Sequence, residues 1–139
     1  MSKIAIVYWT GTGNTETMAG AVLEGALQAG ANAVLLTVDQ FSAAQMDDYD
    51  AVAFGCPAMG AEELEESEFE PVFSDCEPKL SGKRIGLFGS YGWGDGQWMR
   101  DWEARCRTAG AVIVSDSVMA NDAPGDVELD ACRKLGAAL

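Results

Sequence analysis

Short runs of apolar and β-branched residues alternate with helix-like segments along the whole chain. Five runs predict strands, at residues 3–9, 33–38, 50–56, 84–90 and 111–117. The first, third and fourth are almost uncharged along their length, which is typical of strands covered on both faces in a parallel sheet. We therefore expect an α/β fold, a doubly wound sandwich around a five-stranded parallel sheet, as one domain over residues 1–139.

Four segments between or after these strands predict helices, at residues 14–30, 62–77, 97–109 and 126–138. In the first, Met18, Val22 and Ala26 recur at helical spacing and Gly30 is a natural stop. Ligands of doubly wound sheets bind at the carboxyl ends of the strands, where the strand order reverses. The loops after the first, third and fourth strands are therefore the ones that we expect to carry function.

The charge of the chain excludes some classes of partner. Nine Lys and Arg residues against 22 Asp and Glu residues give a net charge of −13. Such a surface repels nucleic acid and anionic membranes, because phosphate binding there draws on Lys and Arg. No uncharged apolar run approaches the roughly 20 residues of a membrane-spanning helix, and no signal-peptide pattern is present. We expect a cytoplasmic protein that binds neither nucleic acid nor membrane.

The residue inventory also limits the chemistry. The chain has no histidine, which excludes His general-base catalysis and Ser-His or Cys-His nucleophiles. Its four cysteines, Cys56, Cys76, Cys106 and Cys132, show no C-x-x-C spacing, so we expect no zinc, haem or thioredoxin-type site. Free, buried or partly buried thiols are the simpler interpretation.

Residues 10–15, TGTGNT, lie between a predicted strand and a predicted helix and contain no cation. Unpaired N–H groups at a helix N-terminus attract anions, and the side chains of Thr10, Thr12, Asn14 and Thr15 add neutral donors. A Walker loop would need a lysine, and a dinucleotide-binding GxGxxG would need glycine at position 16, which is a glutamate. The segment therefore indicates a phosphate site, with a threonine-capped tight turn as the alternative.

The loops after the third and fourth strands contain exposed-looking apolar side chains. Trp93 lies between Gly92 and Gly94, where an indole is poorly placed for the core and well placed to stack on a flat ring. Met59 could cover the opposite face of such a ring. The alternatives are that Trp93 packs its own loop against the protein and that Met59 fills a gap.

Together the three loops resemble those of the flavodoxin family, specifically the short-chain flavodoxins of anaerobic bacteria. The segments YWTGTGNTETMA, GCPAMGAEELEESEFEP and LFGSYGWGDGQWMRDWE carry the likeness, which spans nearly the whole chain. The resemblance implies strand order 2-1-3-4-5 and one non-covalent FMN. The residues that it implies for FMN binding are Thr10, Gly11, Thr12, Gly13, Asn14, Thr15, Met59, Gly60, Ala61, Glu62, Ser90, Tyr91, Gly92, Trp93, Gly94 and Asp95.

The resemblance also implies a role for each loop. The first holds the phosphate, Trp93 and Met59 lie on opposite faces of the flavin ring, and residues 90–95 surround the ring edge. Glu62 accepts a hydrogen bond from flavin N3–H, although without the resemblance it is a solvated carboxylate at a helix start. In the turn of residues 59–62, Gly60 suits a type II′ turn with positive φ. The carbonyl of Gly60 is implied to accept from flavin N5 in the half-reduced state.

The function that the resemblance implies is low-potential, one-electron transfer through the FMN semiquinone and hydroquinone, without a substrate of the protein's own. The expected partners are reductases and acceptors of ferredoxin or flavodoxin type with basic docking faces, and the protein is expected to be a monomer. Six glutamates in residues 62–70 fit this, since two like charges about 10 Å apart repel by roughly 1.7 kcal/mol at an effective dielectric near 20.

Two alternative functions share this fold class. A flavodoxin-like NAD(P)H or quinone oxidoreductase would need a substrate pocket over the flavin. A phosphoacceptor signalling domain of the same topology would need an aspartate at the end of the third strand, where Cys56 and Pro57 stand.

Overall fold

The computed structural model describes residues 2–139 and contains one mainly parallel arrangement of strands wrapped by helices. The strands are β1 (Lys3–Tyr8), β2 (Asn32–Thr37), β3 (Ala51–Gly55), β4 (Arg84–Tyr91), β5 (Val112–Ile113) and β6 (Val118–Asn121). The helices are α1 (Asn14–Gln28), α2 (Phe69–Cys76), α3 (Gln97–Thr108) and α4 (Asp126–Ala138). Short 3₁₀ turns occupy Val38–Gln40, Ala43–Asp48 and Glu77–Lys79.

All strand pairs in the sheet are parallel, and their order is β2-β1-β3-β4-β5, with β6 also paired to β4. This confirms the expected α/β fold and strand order. The reversal of order lies between β1 and β3, so the loops that follow these two strands diverge to opposite faces of the sheet.

The central strands are covered on both faces. On one face, Phe54 of β3 packs with Phe69, Phe73 and Trp102 of the helices α2 and α3. On the other face, residues of the alternate set, such as Ile6, pack with α1 and α4. Because successive strand residues point to opposite faces, each strand contributes to both cores, as its uncharged sequence predicted.

Helices α1 and α4 approach each other closely at two glycines. A Cβ atom on Gly136 would overlap the Val22 carbonyl oxygen and lie 2.8 Å from the backbone nitrogen of Ala26. A Cβ on Gly25 would likewise overlap the backbone of Arg133. Glycine at these positions therefore permits backbone-to-backbone packing, at a cost in intrinsic helix propensity that the tertiary contact offsets. Within residues 2–139, no helix is both long enough and apolar enough to cross a bilayer.

The predicted helix over residues 62–77 is wrong in its first half, because α2 begins only at Phe69. The Glu65 side chain turns back and accepts hydrogen bonds from the N–H groups of Ser67, Glu68 and Phe69. A carboxylate that binds successive backbone N–H groups in this way caps a helix start and competes with earlier helical turns.

The predicted single strand over residues 111–117 is also wrong. Val112–Ile113 pair with Arg84 and Ile85 of β4, and pairing resumes only where Val118 faces Phe88. Between these points the chain has two more residues than β4 has, so the polar segment 114–117 leaves the ladder as a bulge. The resumed strand β6 ends at Asn121, at the same edge of the sheet as β1, β3 and β4.

Candidate functional site

The carboxyl ends of β1, β3, β4 and β6 surround an open cavity of about 210 Å³. Seven of the sequence-predicted site residues line it, and they come from all three predicted loops: Gly11, Thr12, Asn14, Met59, Ser90, Tyr91 and Gly92. The other predicted residues lie beside the cavity in the same loops rather than on its wall: Thr10, Gly13, Thr15, Gly60, Ala61, Glu62, Trp93, Gly94 and Asp95. The topology therefore brings together segments that are up to about 80 residues apart.

The loop of residues 10–15 is a tight turn that opens a helix. Gly13 has φ +96°, a region that favours glycine, and its N–H donates to Thr10 Oγ1 at 3.0 Å. The backbone N–H of Thr17 is bonded to the Gly13 carbonyl at 3.0 Å, which is the first helical hydrogen bond of α1. The N–H groups of residues 14–16 precede that bond and lie at the positive end of the helix dipole. These neutral donors fit a phosphate group.

Thr15 joins this loop to β4. Its side chain is buried, its hydroxyl lies 3.3 Å from the Ser90 hydroxyl, and the Ser90 N–H donates to Thr15 Oγ1 at 3.4 Å. Two loops distant in sequence are thereby fixed to each other. Binding of a phosphate by the Thr15 hydroxyl stays a prediction.

The loop after β3 forms a small antiparallel hairpin, residues 59–63. Met59 and Glu63 exchange both backbone hydrogen bonds, at 2.8 and 2.9 Å, around three connecting residues. Gly60 has φ +51°, as the turn chemistry predicted, but Glu62 has φ +55° as well. The turn therefore closes one residue later than the expected 59–62 turn, and Glu62 takes a left-handed backbone that is uncommon outside glycine and asparagine.

Glu62 connects this hairpin to the loop before α3. Its Oε1 accepts the Gln97 N–H at 3.2 Å, and a Cβ on Gly94 would lie 2.6 Å from the Glu62 Cδ. The glycine thus makes room for the carboxylate. Acceptance of a hydrogen bond from flavin N3–H by Glu62 stays a prediction.

The rim of the cavity exposes apolar side chains. Trp93 is 64% exposed and Met59 is 39% exposed, whereas Trp98 and Trp102 lie in the core. Tyr91 packs on Trp98 with ring centroids 5.5 Å apart, and Asp95 forms an ion pair with Arg100 at 2.9 Å. Because the Trp93 indole is mostly exposed, it does not anchor its loop in the core, and its large apolar face is free to stack on a flat ring; that it does so stays a prediction.

Sequence reasoning did not assign four residues that line the cavity: Trp9, Pro57, Ala58 and Asp122. Asp122 follows β6, has φ +57°, and donates its N–H to the Tyr91 carbonyl at 2.7 Å. The sequence would predict Asp122 at the cavity only if the last strand were known to end at the same edge of the sheet as β1, β3 and β4. The bulge at residues 114–117 brings it there, and the composition of the chain does not reveal that bulge.

The cysteines lie in the interior, as expected. Burial raises the pKa of Cys76 to about 11 and the pKa values of Cys106 and Cys132 to about 12. Burial also raises the pKa of the Cys56 thiol, although the Glu65 N–H, which donates a hydrogen bond to Cys56 Sγ, acts to lower it. All four are free thiols, and this protonated state at neutral pH makes them poor nucleophiles.

A second, larger cavity of about 470 Å³ lies away from these loops, between α4 and residues 115–119. Its lining is mainly aliphatic, with Val127 and Met119 at its mouth. It has neither the turn that opens α1 nor the exposed indole, so the smaller cavity is the better candidate for a phosphate-bearing aromatic cofactor.

Comparison with known proteins agrees with this geometry. The flavodoxin family model matches residues 6–136. The chain is 43% identical to a flavodoxin of Megasphaera elsdenii over 135 residues, covering 97% of this chain and 96% of that protein. It is 44% identical to a flavodoxin of Clostridium beijerinckii over 131 residues, covering 94% of each.

The solution structure of the two-electron reduced Megasphaera elsdenii flavodoxin superposes with a TM-score of 0.89, at 43% identity, over 97% of this chain and 96% of that one. A flavodoxin from the domain Archaea superposes with a TM-score of 0.85 at 22% identity, which shows the shared fold. With the cation-free turn of residues 10–15, an exposed indole and the 2-1-3-4-5 sheet in place, these matches settle the family: the chain belongs to the flavodoxins.

Proposed function

We propose that this protein is a low-potential, one-electron carrier that holds one FMN non-covalently in the cavity at the carboxyl ends of β1, β3, β4 and β6. Flavodoxins bind FMN and carry electrons to redox partner enzymes. The single observation that supports the proposal most is the exposed Trp93 indole, next to Gly92 on the wall of the same cavity that the turn of residues 10–15 lines with only neutral donors. FMN, when bound, supplies reversible one-electron chemistry that no side chain of this chain provides.

The protein's own residues bind and orient the cofactor. The N-terminus of α1 and the Thr10–Thr15 side chains hold the phosphate through N–H and O–H donors. Trp93 and Met59 would cover the two faces of the ring and exclude water from it. Glu62 and the backbone of residues 90–95 would fix the ring edge, and the Gly60 carbonyl, at the positive-φ start of the 59–63 turn, would offer a further acceptor there.

Carboxylates near the ring make further electron uptake unfavourable. Glu63 and Glu66 are exposed in and just after the hairpin, and Asp122 lines the cavity itself. Added negative charge among fixed negative charges raises the free energy of the reduced protein, by roughly 1–2 kcal/mol per carboxylate at about 10 Å. For a one-electron couple, about 1.4 kcal/mol corresponds to roughly 59 mV. This electrostatic cost supports a low potential for the second electron.

The partners that suit such a surface are redox enzymes with basic docking faces, since complementary charge steers encounter. We infer a monomer without a substrate of its own. The cytoplasm is the compartment that fits four unpaired cysteines.

The test is reconstitution of the apoprotein with FMN, followed by a spectroscopically monitored redox titration. We expect stoichiometric binding and two resolved one-electron steps, the second well below the potential of free FMN. Absence of FMN binding would refute the proposal. Steady NAD(P)H–quinone turnover by the pure protein would instead favour the oxidoreductase alternative.

A further inference from the structure

Glu65 is the one charged side chain classed as buried within residues 2–139, with 6% of its surface exposed. Its carboxylate accepts the N–H groups of Ser67 at 2.9 Å, Glu68 at 2.7 Å and Phe69 at 2.8 Å, and also the Ser67 hydroxyl. Burial acts to raise the pKa of Glu65, but these hydrogen bonds outweigh it and hold the pKa below its ordinary value. The carboxylate is therefore ionised and fully engaged with the backbone at neutral pH.

The backbone of Glu65 is held as firmly as its side chain. Its N–H donates to Cys56 Sγ at 3.3 Å, and its carbonyl accepts the Glu70 N–H at 2.8 Å. The Cys56 carbonyl in turn accepts the Trp98 Nε1–H at 3.2 Å. Glu65 thus connects the end of β3 to the start of α2, and Cys56 connects the same point to α3.

The hairpin of residues 59–63 lies between these two fixed points. Cys56 precedes Met59 by three residues and Glu65 follows Glu63 by two, with Leu64 buried between them. The tip itself is mostly exposed, and within residues 2–139 its hydrogen bonds are the Met59–Glu63 backbone bridge and the bond from the Gln97 N–H to Glu62 Oε1. The position of the tip therefore depends on where its two ends are fixed, together with this single side-chain contact.

We propose that Glu65 is a positioning residue, whose buried carboxylate fixes the carboxyl end of the 59–63 hairpin and thereby sets the distance and tilt of Met59 and Gly60 against the flavin. This inference rests on the proposed FMN function and deepens it. Glu65 touches neither the cavity nor the cofactor site, and it acts through the backbone of the segment that carries them.

Glutamine at position 65 tests the hydrogen bonding specifically, because its side chain has the shape of glutamate but not its two acceptor oxygens. One oxygen of Glu65 accepts from Glu68 and Phe69, and the other accepts both donors of Ser67. In Glu65→Gln an NH₂ group replaces one oxygen, so at least one set of donors faces another donor. A buried donor without an acceptor is costly, which should release this end of the hairpin.

Glu66→Gln is the matched control. It removes the same unit charge from the neighbouring residue, but Glu66 is exposed and forms no side-chain hydrogen bond within residues 2–139. Two measurements are made on wild type and both variants: amide hydrogen exchange of the apoprotein at residues 59–69, and FMN affinity by fluorescence with both midpoint potentials. The unfolding free energy of each apoprotein separates local loosening from global destabilisation.

We expect Glu65→Gln to accelerate amide hydrogen exchange at Met59, Glu63 and Phe69 and to weaken FMN binding on the order of tenfold. Its second midpoint potential should also shift by more than that of Glu66→Gln. Glu66→Gln should raise the potentials by no more than the loss of one nearby charge accounts for, and leave exchange and FMN affinity unaltered. Equal exchange, affinity and potentials in the two variants would overturn the proposal, because charge alone would then explain the effect.

Should Glu65→Gln fail to fold, Ser67→Ala serves in its place, since Ser67 is exposed and its loss removes one donor to the same carboxylate. A smaller change in the same direction supports the inference, and wild-type exchange and affinity refute it. Failure of the wild-type protein to bind FMN at all would instead refute the proposed function, and the apoprotein exchange data would still decide the role of Glu65.

Discussion

Replacing Trp93 with alanine tests the ring-binding surface directly. The Trp93 side chain is 64% exposed. Since a tryptophan side chain has a surface of roughly 200 Å², about 130 Å² of it is accessible to solvent. A flat ring covering one face would bury about half of that, which is worth about 1.6 kcal/mol at roughly 25 cal/mol per Å². Aromatic stacking adds about 1 kcal/mol. The sum predicts that Trp93→Ala weakens FMN binding on the order of 50- to 100-fold.

The assay is titration of apoprotein with FMN, followed by quenching of flavin fluorescence. Because the side chain is mostly exposed, we expect the unfolding free energy of the apoprotein to change by less than about 0.5 kcal/mol. Trp93→Phe keeps a smaller ring and should fall between wild type and alanine. Val127→Ala, a truncation at a residue that is 79% exposed and lines the other cavity, is the control for nonspecific effects. An affinity within twofold of wild type for Trp93→Ala would refute the stacking argument.

Three further predictions concern stability and reactivity. Gly136→Ala should destabilise the apoprotein by about 1–3 kcal/mol in urea unfolding, because the added methyl group meets the backbone of α1. Gly20→Ala, where the added methyl group has open space, should stabilise the apoprotein by about 0.5–1 kcal/mol. Similar changes in unfolding free energy for both variants would contradict the packing argument. The pKa of Glu70 is held down first by its hydrogen bond from Arg105, and the pKa of Glu65, in spite of burial, first by the hydrogen bond from the Ser67 hydroxyl and then by its backbone hydrogen bonds. The stability that these two ionised carboxylates contribute is complete at pH values above the ordinary carboxyl pKa of 4.5, and it is lost as the pH falls through their lower native pKa values. At pH values below about 4.5 the unfolding free energy of the wild type should therefore decrease, and that of Glu65→Gln should decrease less. The buried thiols should be inert to a thiol-reactive dye at pH 7–8 until denaturant is added; rapid labelling of the native protein would show that the interior opens.

Local patterns were sufficient for much of the fold. Helix α4 has the predicted bounds, Asp126–Ala138, because an apolar stripe and an acidic first turn agree there. Strands β1, β3 and β4 are predicted to within a residue or two, since their sequences admit only burial on both faces. The tight turn of residues 10–15 that opens α1 was predictable because glycines, hydroxyls and a following helix occur together, and each feature is local in sequence.

The sequence by itself therefore determined the fold class, the three loops that meet at the site and the absence of any cation from the turn of residues 10–15. Tertiary structure alone decided that Glu65 is buried and delays α2 to Phe69, that residues 114–117 leave the sheet, and that Asp122 lines the cavity. The physical reason is the range of the interactions. Periodicity and turn chemistry act between near neighbours, whereas burial of a carboxylate or a shift of strand register depends on partners that only the folded chain brings into contact.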